Sequence, residues 1–445
     1  MLNGYLMKRL LLEKLIAWKN KTQRKPILID GARQTGKSFL LETLFGVHFE
    51  QVIRLDFLEQ PALANLFADS LNPQDILDNI ELELNVSIKR DKALIIFDEI
   101  GECQAAINSL KFFSEKCADM YVCASGSNIG LLGSFPVGKV DLLELYPLTF
   151  EEFLLASKQA PLIKAFEQSK MTTVAHDKLF SLLLDYYYVG GMPEAVNAWF
   201  ETQNTTGILE RTQQVNQIHT ALIAGYERDF GKYSDKVSAQ HIQAIFHNIP
   251  IQLSQNIDDS VKRFKFKDVI HKKTRYQQLV GPINWLDKCK LLSKCQPIDC
   301  QPSSPLPALA KENIFKLFLF DIGLLGNMLG LSYKEHRDQG FNYKGYIAEN
   351  FVQNELVAKY GNPTYSWEYA RSEIEFLYKH DSGSIFPIEV KSGKRTRAKS
   401  LDVYVQRYRP EKTIKLIGSQ GSIENPDALV LPLYYASKLE QFVDC

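Results

Sequence analysis

Short apolar runs alternate with helical patterns over the first third of the chain. The runs at residues 27–29, 52–55, 93–97 and 121–124 have the length of buried strands, and the segments between them have helical spacing. This alternation predicts βαβ units and a parallel sheet with helices on both faces. The first twenty residues, "MLNGYLMKRLLLEKLIAWKN", predict an amphipathic helix that packs on the same core.

The rest of the chain changes pattern twice. Residues 156–205 are helical in pattern, and residues 206–330 are mostly helical with a basic middle and a proline-rich bend. Residues 331–445 return to mixed α/β, with "SEIEFLYK" and "IFPIEVKSG" as expected strands. We therefore expect four regions: 1–155, 156–205, 206–330 and 331–445.

Composition narrows the class of protein without naming a partner. Of the 445 residues, 45% are apolar and 23% charged, and 52 basic residues balance 52 acidic ones, so no overall field attracts nucleic acid or a membrane. No run approaches the ~18 apolar residues of a membrane span. The charged N-terminal helix lacks the unbroken apolar core of a signal peptide. None of the seven cysteines forms a CxxC pair. We expect a cytoplasmic protein with free thiols.

The stretch "GARQTGKSFLLETLF", residues 31–45, follows the first apolar run and opens a helix. Its G-x-x-x-x-G-K-S spacing between strand and helix is typical of a phosphate-binding P-loop, the Walker A motif. Lys37 would reach the β- and γ-phosphates, and Ser38 would hold Mg²⁺. The alternative is a turn that only starts a helix. The candidate nucleotide contacts are Gly31, Ala32, Arg33, Gln34, Thr35, Gly36, Lys37, Ser38 and Phe39.

A partner motif, of the Walker B kind, lies at residues 93–102, "ALIIFDEIGE". Five apolar residues lead directly into two carboxylates at the end of a strand. Asp98 would bind Mg²⁺ through water, and Glu99 would act as general base toward the attacking water. A solvated strand end would not explain the apolar run before the acids.

The next strand, "MYVCASGSNIGLL", ends in a polar turn at residues 125–128. A polar side chain at the tip of a neighbouring strand can sense the γ-phosphate, and Ser127 and Asn128 are the candidates. An ordinary hydrogen-bonded turn is the alternative.

These motifs, in this order, resemble the AAA+ and STAND-like P-loop ATPases that combine an AAA_14 domain with a DUF4143 region. The resemblance also includes "VGKVDLLELYPLTFEEFL", "YYYVGGMPEA", "KENIFKLFLFDIGLL" and "IEVKSGK", and it covers nearly the whole chain. It implies a P-loop NTPase sheet, a helical lid, a winged-helix-like segment and a PD-(D/E)xK nuclease-like α/β domain, with ATP and Mg²⁺ as cofactors. Gly190, Gly191 and Pro193 resemble a glycine-x-proline element, so Gly191 and Pro193 are further candidate nucleotide contacts. A plain helix start is the alternative. Gly138-Lys139 stands where the family usually has glycine-arginine, which weakens the case for an arginine finger.

The winged-helix-like segment, residues 261–298, predicts helix, turn, helix and strand. Its apolar face comprises Tyr276, Leu279, Ile283, Leu286 and Leu291, although Gly281-Pro282 would break the second helix. The basic side chains ahead of it suit double-stranded DNA, but a winged helix serves equally as a protein-binding module. They are Lys262, Arg263, Lys265, Lys267, Lys272, Lys273 and Arg275.

The last region carries a nuclease-like pattern. Glu349 lies in an amphipathic helix, Glu375 in a strand, and Glu389 and Lys391 on one side of the next strand. In the nuclease core that this pattern resembles, the carboxylates hold Mg²⁺ and the lysine stabilises charge on phosphate. The usual residue at Glu375 is aspartate, so a scaffold without cleavage is the alternative. The basic run at residues 391–399 would be a DNA surface or a solvated loop.

Together these features predict an ATP-binding and ATP-hydrolysing switch protein, in which the contact at residues 190–193 reports the nucleotide state. Three classes remain open: an ATPase that acts on or with DNA, an ATP-regulated Mg²⁺-dependent nuclease, and a signalling scaffold that binds a protein partner. The sequence leaves the partner and the oligomeric state open.

Overall fold

The computed structural model describes residues 7–127, 129–131, 135–202, 205–232, 236–255, 263–338, 344–393 and 399–444. The chain forms two compact units. The first holds Met1–Tyr146 with Lys288–Lys290, and the second holds Pro147–Asp287 with Leu291–Cys445.

The first unit is built on a five-stranded parallel sheet with strand order β2-β3-β4-β1-β5. Each of the four predicted apolar runs is a strand, and the parallel sheet is confirmed. The strands are β1 Ile27–Asp30, β2 Gln51–Asp56, β3 Ala93–Asp98, β4 Tyr121–Gly126 and β5 Asp141–Glu144; the helices are α1 Leu11–Lys19, α2 Lys37–Phe39, α3 Pro73–Leu84 and α4 Gln104–Lys116.

Successive residues of the central strands face two different cores. In β3, Leu94 and Ile96 pack with Leu15 and Trp18 of α1, whereas Ile95 and Phe97 belong to the cluster on the opposite face. Because side chains alternate along a strand, a strand buried on both faces needs the continuous apolar run that the sequence shows. The N-terminal helix therefore packs on the core as predicted.

The second unit combines helices with a seven-stranded mixed sheet of order β12-β11-β10-β9-β8-β6-β7. The strands are β6 Leu292–Ile298, β7 Lys316–Leu319, β8 Thr364–Tyr369, β9 Ser372–Lys379, β10 Ile385–Lys391, β11 Thr413–Ile417 and β12 Ala428–Pro432. The helices are α5 Phe150–Ala156, α6 Ala160–Glu167, α7 Thr173–Val189, α8 Pro193–Glu201, α9 Ile208–Lys232, α10 Lys236–Gln255, α11 Tyr276–Lys288, α12 Ile322–Met328, α13 Tyr333–Arg337, α14 Lys344–Tyr360, α15 Lys399–Tyr408 and α16 Leu439–Val443.

Short turns of other helical types complete both units. Residues Leu40–Phe45 continue α2 with wider, π-type spacing. The 3₁₀ segments are Gly46–His48, Pro61–Phe67, Ile100–Glu102, Ile129–Leu131, Leu306–Ala308 and Leu433–Lys438.

The boundary expected near residue 330 falls inside one sheet. β6 and β7 come from the region before it, yet β6 pairs in parallel with β8. Residues 206–330 and 331–445 therefore share a single sheet, which the local pattern alone could not show because the pairing is long-range.

The basic segment ahead of α11 differs from the expectation of a helix. Residues 263–275 form turns, with positive φ at Asp268 and Lys272 and a bridge between Ile270 and Lys273. The expected break at Gly281-Pro282 is also wrong, because α11 runs through Pro282. Its buried face, Leu279, Ile283 and Leu286, matches the predicted apolar face and anchors the helix.

Among the described helices, none is long and apolar enough to cross a membrane. The cysteines of the described ranges are free thiols, as expected; Cys445 lies outside these ranges.

Candidate functional site

The loop between β1 and α2 has the backbone that its glycines predict. Gly36 has φ +89° and precedes the first helical residue, and Gln34 also has positive φ. A Cβ on Gly31 would lie 2.2 Å from the backbone oxygen of Leu145, so only glycine fits there. The loop is therefore a closely packed backbone turn that opens a helix, as a phosphate cradle requires.

Lys37 points back into this loop. Its ammonium donates hydrogen bonds to the carbonyl oxygens of Gly31 and Ala32, both at 2.9 Å, and the side chain is buried. Burial lowers the pKa of Lys37, while the nearby carboxylates, Glu99 first, raise it in opposition. The loop thus holds a buried cation within reach of acidic groups at the strand ends. Thr35 closes the turn by donating to Ala32 at 2.8 Å.

Ser38 and Asp98 meet at the carboxyl edge of the sheet. The Ser38 hydroxyl donates to Asp98 Oδ1 at 3.0 Å, and the Ser125 hydroxyl of β4 donates to the same oxygen. Asp98 is 1% exposed. Its other oxygen, Oδ2, accepts a hydrogen bond from Nε of Arg54 in β2 at 2.8 Å and lies 2.7 Å from Nη2 of the same guanidinium.

Glu99 follows Asp98 in a left-handed backbone conformation, with φ +48° and ψ +46°. This turn carries its carboxylate to the tip of β4, where Oε2 lies 3.5 Å from both the backbone nitrogen and the hydroxyl of Ser127. Arg33 Nε of the phosphate loop donates to the Ser127 hydroxyl at 3.2 Å. The structure therefore brings Arg33, Lys37, Asp98, Glu99 and Ser127 together; Asn128 lies outside the described residues.

Arg9 supports the loop from behind, a contact that the sequence did not reveal. It is 5% exposed, and its guanidinium donates to the backbone oxygens of Thr35 at 2.7 Å and Tyr146 at 2.6 Å. Lys139 forms an ion pair with Glu115 at 2.7 Å. This is the lysine that stands where the resemblance leads one to expect an arginine.

Family models match three parts of the chain. A model described as "AAA domain" (AAA_14) matches residues 23–154, and a domain of unknown function, DUF4143, matches residues 344–435. The AAA_14 and DUF4143 matches that the motifs predicted are therefore both present in the chain. A second domain of unknown function, DUF8612, matches residues 181–335 between them. The AAA domain match lies almost wholly in the first unit, which has the phosphate loop, the acidic strand end and the parallel sheet of a P-loop core.

Three solved structures have a distant likeness to this chain. Drosophila ORC bound to DNA has 12% identity and a TM-score of 0.27, covering 72% of this chain and 84% of that one. AMPPCP-bound DnaA from Aquifex aeolicus has 13% identity and a TM-score of 0.28, and the match covers 62% of this chain and 86% of that one. A DNA polymerase III gamma subunit-related protein from Thermotoga maritima has 14% identity and a TM-score of 0.24, and the match covers 62% of this chain and 90% of that one. These scores are too low to carry an argument, and no curated protein matches the chain.

Gly191 and Pro193 lie in the second unit, at the start of α8. The Gly191 backbone N–H donates to Asp321 Oδ2 at 2.7 Å, and its carbonyl accepts from the Leu148 N–H at 2.7 Å. A Cβ on Gly191 would lie 2.1 Å from the Leu148 carbonyl oxygen, so glycine is required by packing alone. That these two residues contact nucleotide stays a prediction.

The four nuclease-like residues also meet, on the seven-stranded sheet. Lys391 Nζ lies 2.6 Å from Glu389 Oε1 and 3.9 Å from Glu375 Oε1, so the two side chains of β10 share a face as predicted. Glu349 lies 3.8 Å from a second lysine, Lys316 of β7. The full charge cluster comprises Lys316, Glu349, Glu373, Glu375, Glu389 and Lys391, and Lys316 pairs with Glu373 as well.

Burial controls the protonation of this charge cluster. It raises the pKa of Glu375 and of Glu389 above the ordinary value. Burial alone would lower the pKa of Lys391, but the carboxylates of Glu375 and Glu389 raise it on balance, and those of Glu373 and Glu349 do the same for Lys316. The lysines thus stay charged and neutralise acids that would otherwise be costly to bury.

The charge cluster as arranged does not fit a metal ion. A lysine lies against the carboxylates that would coordinate it, and the described ranges contain no group of three or more His, Cys, Asp or Glu side chains able to hold one. The Oε2 atom of Glu389 is buried without a hydrogen-bond partner among the described atoms, but one orphan oxygen is too few for a divalent cation.

The residues that sequence reasoning missed share one property. Arg54, Ser125, Lys316 and Glu373 each act through a partner more than 25 positions away in the chain. The weak signal available was a charged residue next to apolar strand positions, as at Arg54 in β2 and Lys316 in β7. Such a charge indicates that a partner exists but not which residue the partner is.

Proposed function

We propose that this protein binds ATP with Mg²⁺ in its first unit and hydrolyses it. The observation that carries the proposal is the hydrogen bond between Ser38 and Asp98, with Glu99 beside it at the same strand end. These motifs are 60 positions apart, and the fold joins them at the mouth of the phosphate loop.

The oxygen donors there suit Mg²⁺. A serine hydroxyl and a carboxylate are the hard ligands that this ion prefers, and Mg²⁺ usually takes one or two protein oxygens together with water and phosphate. Bound there, the ion would neutralise charge on the phosphates. Lys37 would support the β- and γ-phosphates, Asp98 would help to hold Mg²⁺ through water, and Glu99 would accept a proton from the attacking water. Ser127 holds the Glu99 carboxylate in place.

The test is ATP turnover by the full chain, for wild type and Glu99→Gln, with and without double-stranded DNA. Glutamine keeps the size of the side chain but cannot accept the proton, so turnover should fall at least ~100-fold while ATP binding persists. Glu83→Gln, an exposed carboxylate on α3, is the matched control and should turn over ATP like wild type. Equal turnover by Glu99→Gln and wild type would refute the assigned role.

The DNA arm separates the remaining classes. If DNA raises turnover, the protein is a DNA-linked ATPase, and the basic turn segment at residues 263–275 is the first surface to mutate. If DNA has no effect, the scaffold class is favoured over the DNA-linked one, and the second unit should be used as bait for a protein partner; a Mg²⁺-dependent cleavage assay tests the nuclease class separately. The paired lysines and glutamates of the charge cluster support a second unit that does not cleave DNA, because they neutralise one another.

A further inference from the structure

Arg54 binds the carboxylate at the centre of the proposed site. Asp56 of β2 is the register partner of Asp98 of β3, so Arg54, two residues earlier, lies on the same face of the sheet. Arg54 Nε donates to Asp98 Oδ2 at 2.8 Å, and Nη2 lies 2.7 Å from the same oxygen. No sequence motif predicts this pair.

The two oxygens of Asp98 therefore have different neighbours. Oδ1 accepts from the hydroxyls of Ser38 and Ser125, which face the phosphate loop and the next strand. Oδ2 is held by the guanidinium. Because a planar guanidinium binds in a fixed direction, it sets the rotation of the carboxylate and turns Oδ1 toward Ser38.

Arg54 is also the cation at the centre of three acids. Besides Asp98, it pairs with Asp56 at 2.5 Å and lies 3.5 Å from Glu42. Asp56 is itself fixed, since its Oδ1 accepts the backbone N–H groups of Leu58 and Glu59. The three carboxylates around Arg54 therefore form a negatively charged group, of which Asp98 contacts Ser38, and Arg54 offsets one of their charges.

We propose that Arg54 is a positioning residue of the ATP site: it orients Asp98 toward Ser38, and its charge raises the Mg²⁺ concentration that nucleotide binding requires. The proposal depends on the function proposed above. Two opposite effects follow from one side chain. Removing the positive charge should tighten divalent-metal binding, because the guanidinium then no longer repels the ion. Removing the planar guanidinium should slow ATP turnover, because Asp98 is then no longer oriented.

The experiment measures metal binding directly. The 445-residue chain with ADP is titrated with Mn²⁺, and free Mn²⁺ is followed by electron paramagnetic resonance, for wild type, Arg54→Met and Arg54→Lys. Methionine keeps much of the aliphatic side chain without the charge, and lysine keeps the charge without the planar guanidinium. Arg90→Met removes an exposed arginine outside the site and is the control.

We expect the Mn²⁺ midpoint of Arg54→Met to fall about tenfold, from the loss of one repelling charge at short range. Arg54→Lys and Arg90→Met should stay near the wild-type midpoint. ATP turnover at saturating metal should fall in both Arg54 variants and not in the control. A purely structural arginine would instead give weaker metal binding and a lower melting temperature.

The outcomes separate this inference from the proposed function. If wild type binds no Mn²⁺ with ADP, both are overturned. If wild type binds and Arg54→Met keeps an unchanged or higher midpoint, only the role of Arg54 is overturned. If Arg54→Met does not fold, Arg54→Lys decides: an unchanged midpoint with reduced turnover supports the inference, and a midpoint shifted about tenfold in either direction overturns it.

Discussion

Asp321 makes the stability of the second unit depend on pH. Its Oδ1 accepts the Leu324 N–H at 2.9 Å and caps α12, and its Oδ2 accepts the Gly191 N–H at 2.7 Å. The side chain is 1% exposed, and burial raises the pKa of Asp321 to about 6. The perturbation is Asp321→Asn, which keeps the shape and removes the titration.

The sign follows from the direction of the shift. The folded-state pKa of about 6 lies above the ordinary 3.8, so the folded protein binds this proton more tightly than the unfolded chain does. The stabilising contribution is complete below pH 3.8 and is lost as the pH rises through 6. Relative to its low-pH value, the contribution of Asp321 to the free energy of unfolding is lower by about 1 kcal/mol at pH 4.5 and by about 3 kcal/mol at pH 8. The stability of Asp321→Asn relative to wild type should therefore rise by about 2 kcal/mol between pH 4.5 and pH 8.

The assay is urea unfolding at pH 4.5 and pH 8 in a Trp18→Phe background. There, the fluorescence comes from the tryptophans of the second unit alone, Trp199, Trp285 and Trp367. Asp402→Asn, on the exposed side of α15, is the control and should show no such change. The hydrogen bonds lost in Asp321→Asn lower the free energy of unfolding equally at both pH values. The burial effect therefore appears only in how the variant-to-wild-type difference changes between pH 4.5 and pH 8. The same variant-to-wild-type difference at both pH values would refute the assigned burial effect.

Two further substitutions test the two sites. Gly31→Ala places a Cβ 2.2 Å from the Leu145 carbonyl oxygen, so we expect lost nucleotide binding and a lower melting temperature. Gly345→Ala, where a Cβ meets open space, should resemble wild type; an unaffected Gly31→Ala would show that the loop is not tightly packed. Lys391→Met leaves Glu375 and Glu389 without their cation, so urea unfolding at pH 8 should show a loss of about 3 kcal/mol. The loss should be smaller at pH 5 than at pH 8, because burial raises the pKa of Glu375 and of Glu389 and a protonated acid needs no cation. The exposed Lys379→Met is its control, and a loss independent of pH would contradict the ion pairing.

Elements set by local sequence were predicted well. The four apolar runs became strands because a strand buried on both faces needs apolar residues at every position. The loop at Gly31–Gly36 and the acids at the end of β3 were recognised because their spacing dictates their geometry. The expected helix before α11 was wrong because a basic, apolar-spaced segment fits a turn as well as a helix when positive φ is adopted at Asp268 and Lys272.

Contacts between distant segments were the part that could not be predicted. Arg54 looked like an ordinary strand residue until the register of β2 and β3 placed it beside Asp98. The partners of Lys316 and Glu373 could not be predicted either, because they come from other strands and from α14. A local pattern specifies which face a side chain occupies, whereas only the strand order specifies its neighbour.

The two acidic sites differ in how their charge is balanced, and this difference bears on chemistry. In the charge cluster of the second unit, lysines from within the sheet lie against the carboxylates, so no oxygen pair is left to share with a cation. At the strand ends of the first unit, Asp98 is held by two hydroxyls and by one arginine that is 30% exposed. Hydroxyl donors can turn to become metal ligands, and a partly exposed guanidinium can shift toward its other acids. We therefore expect divalent-metal chemistry at Asp98 and structural pairing at Glu389, even though both sites contain the acids that sequence motifs associate with a metal.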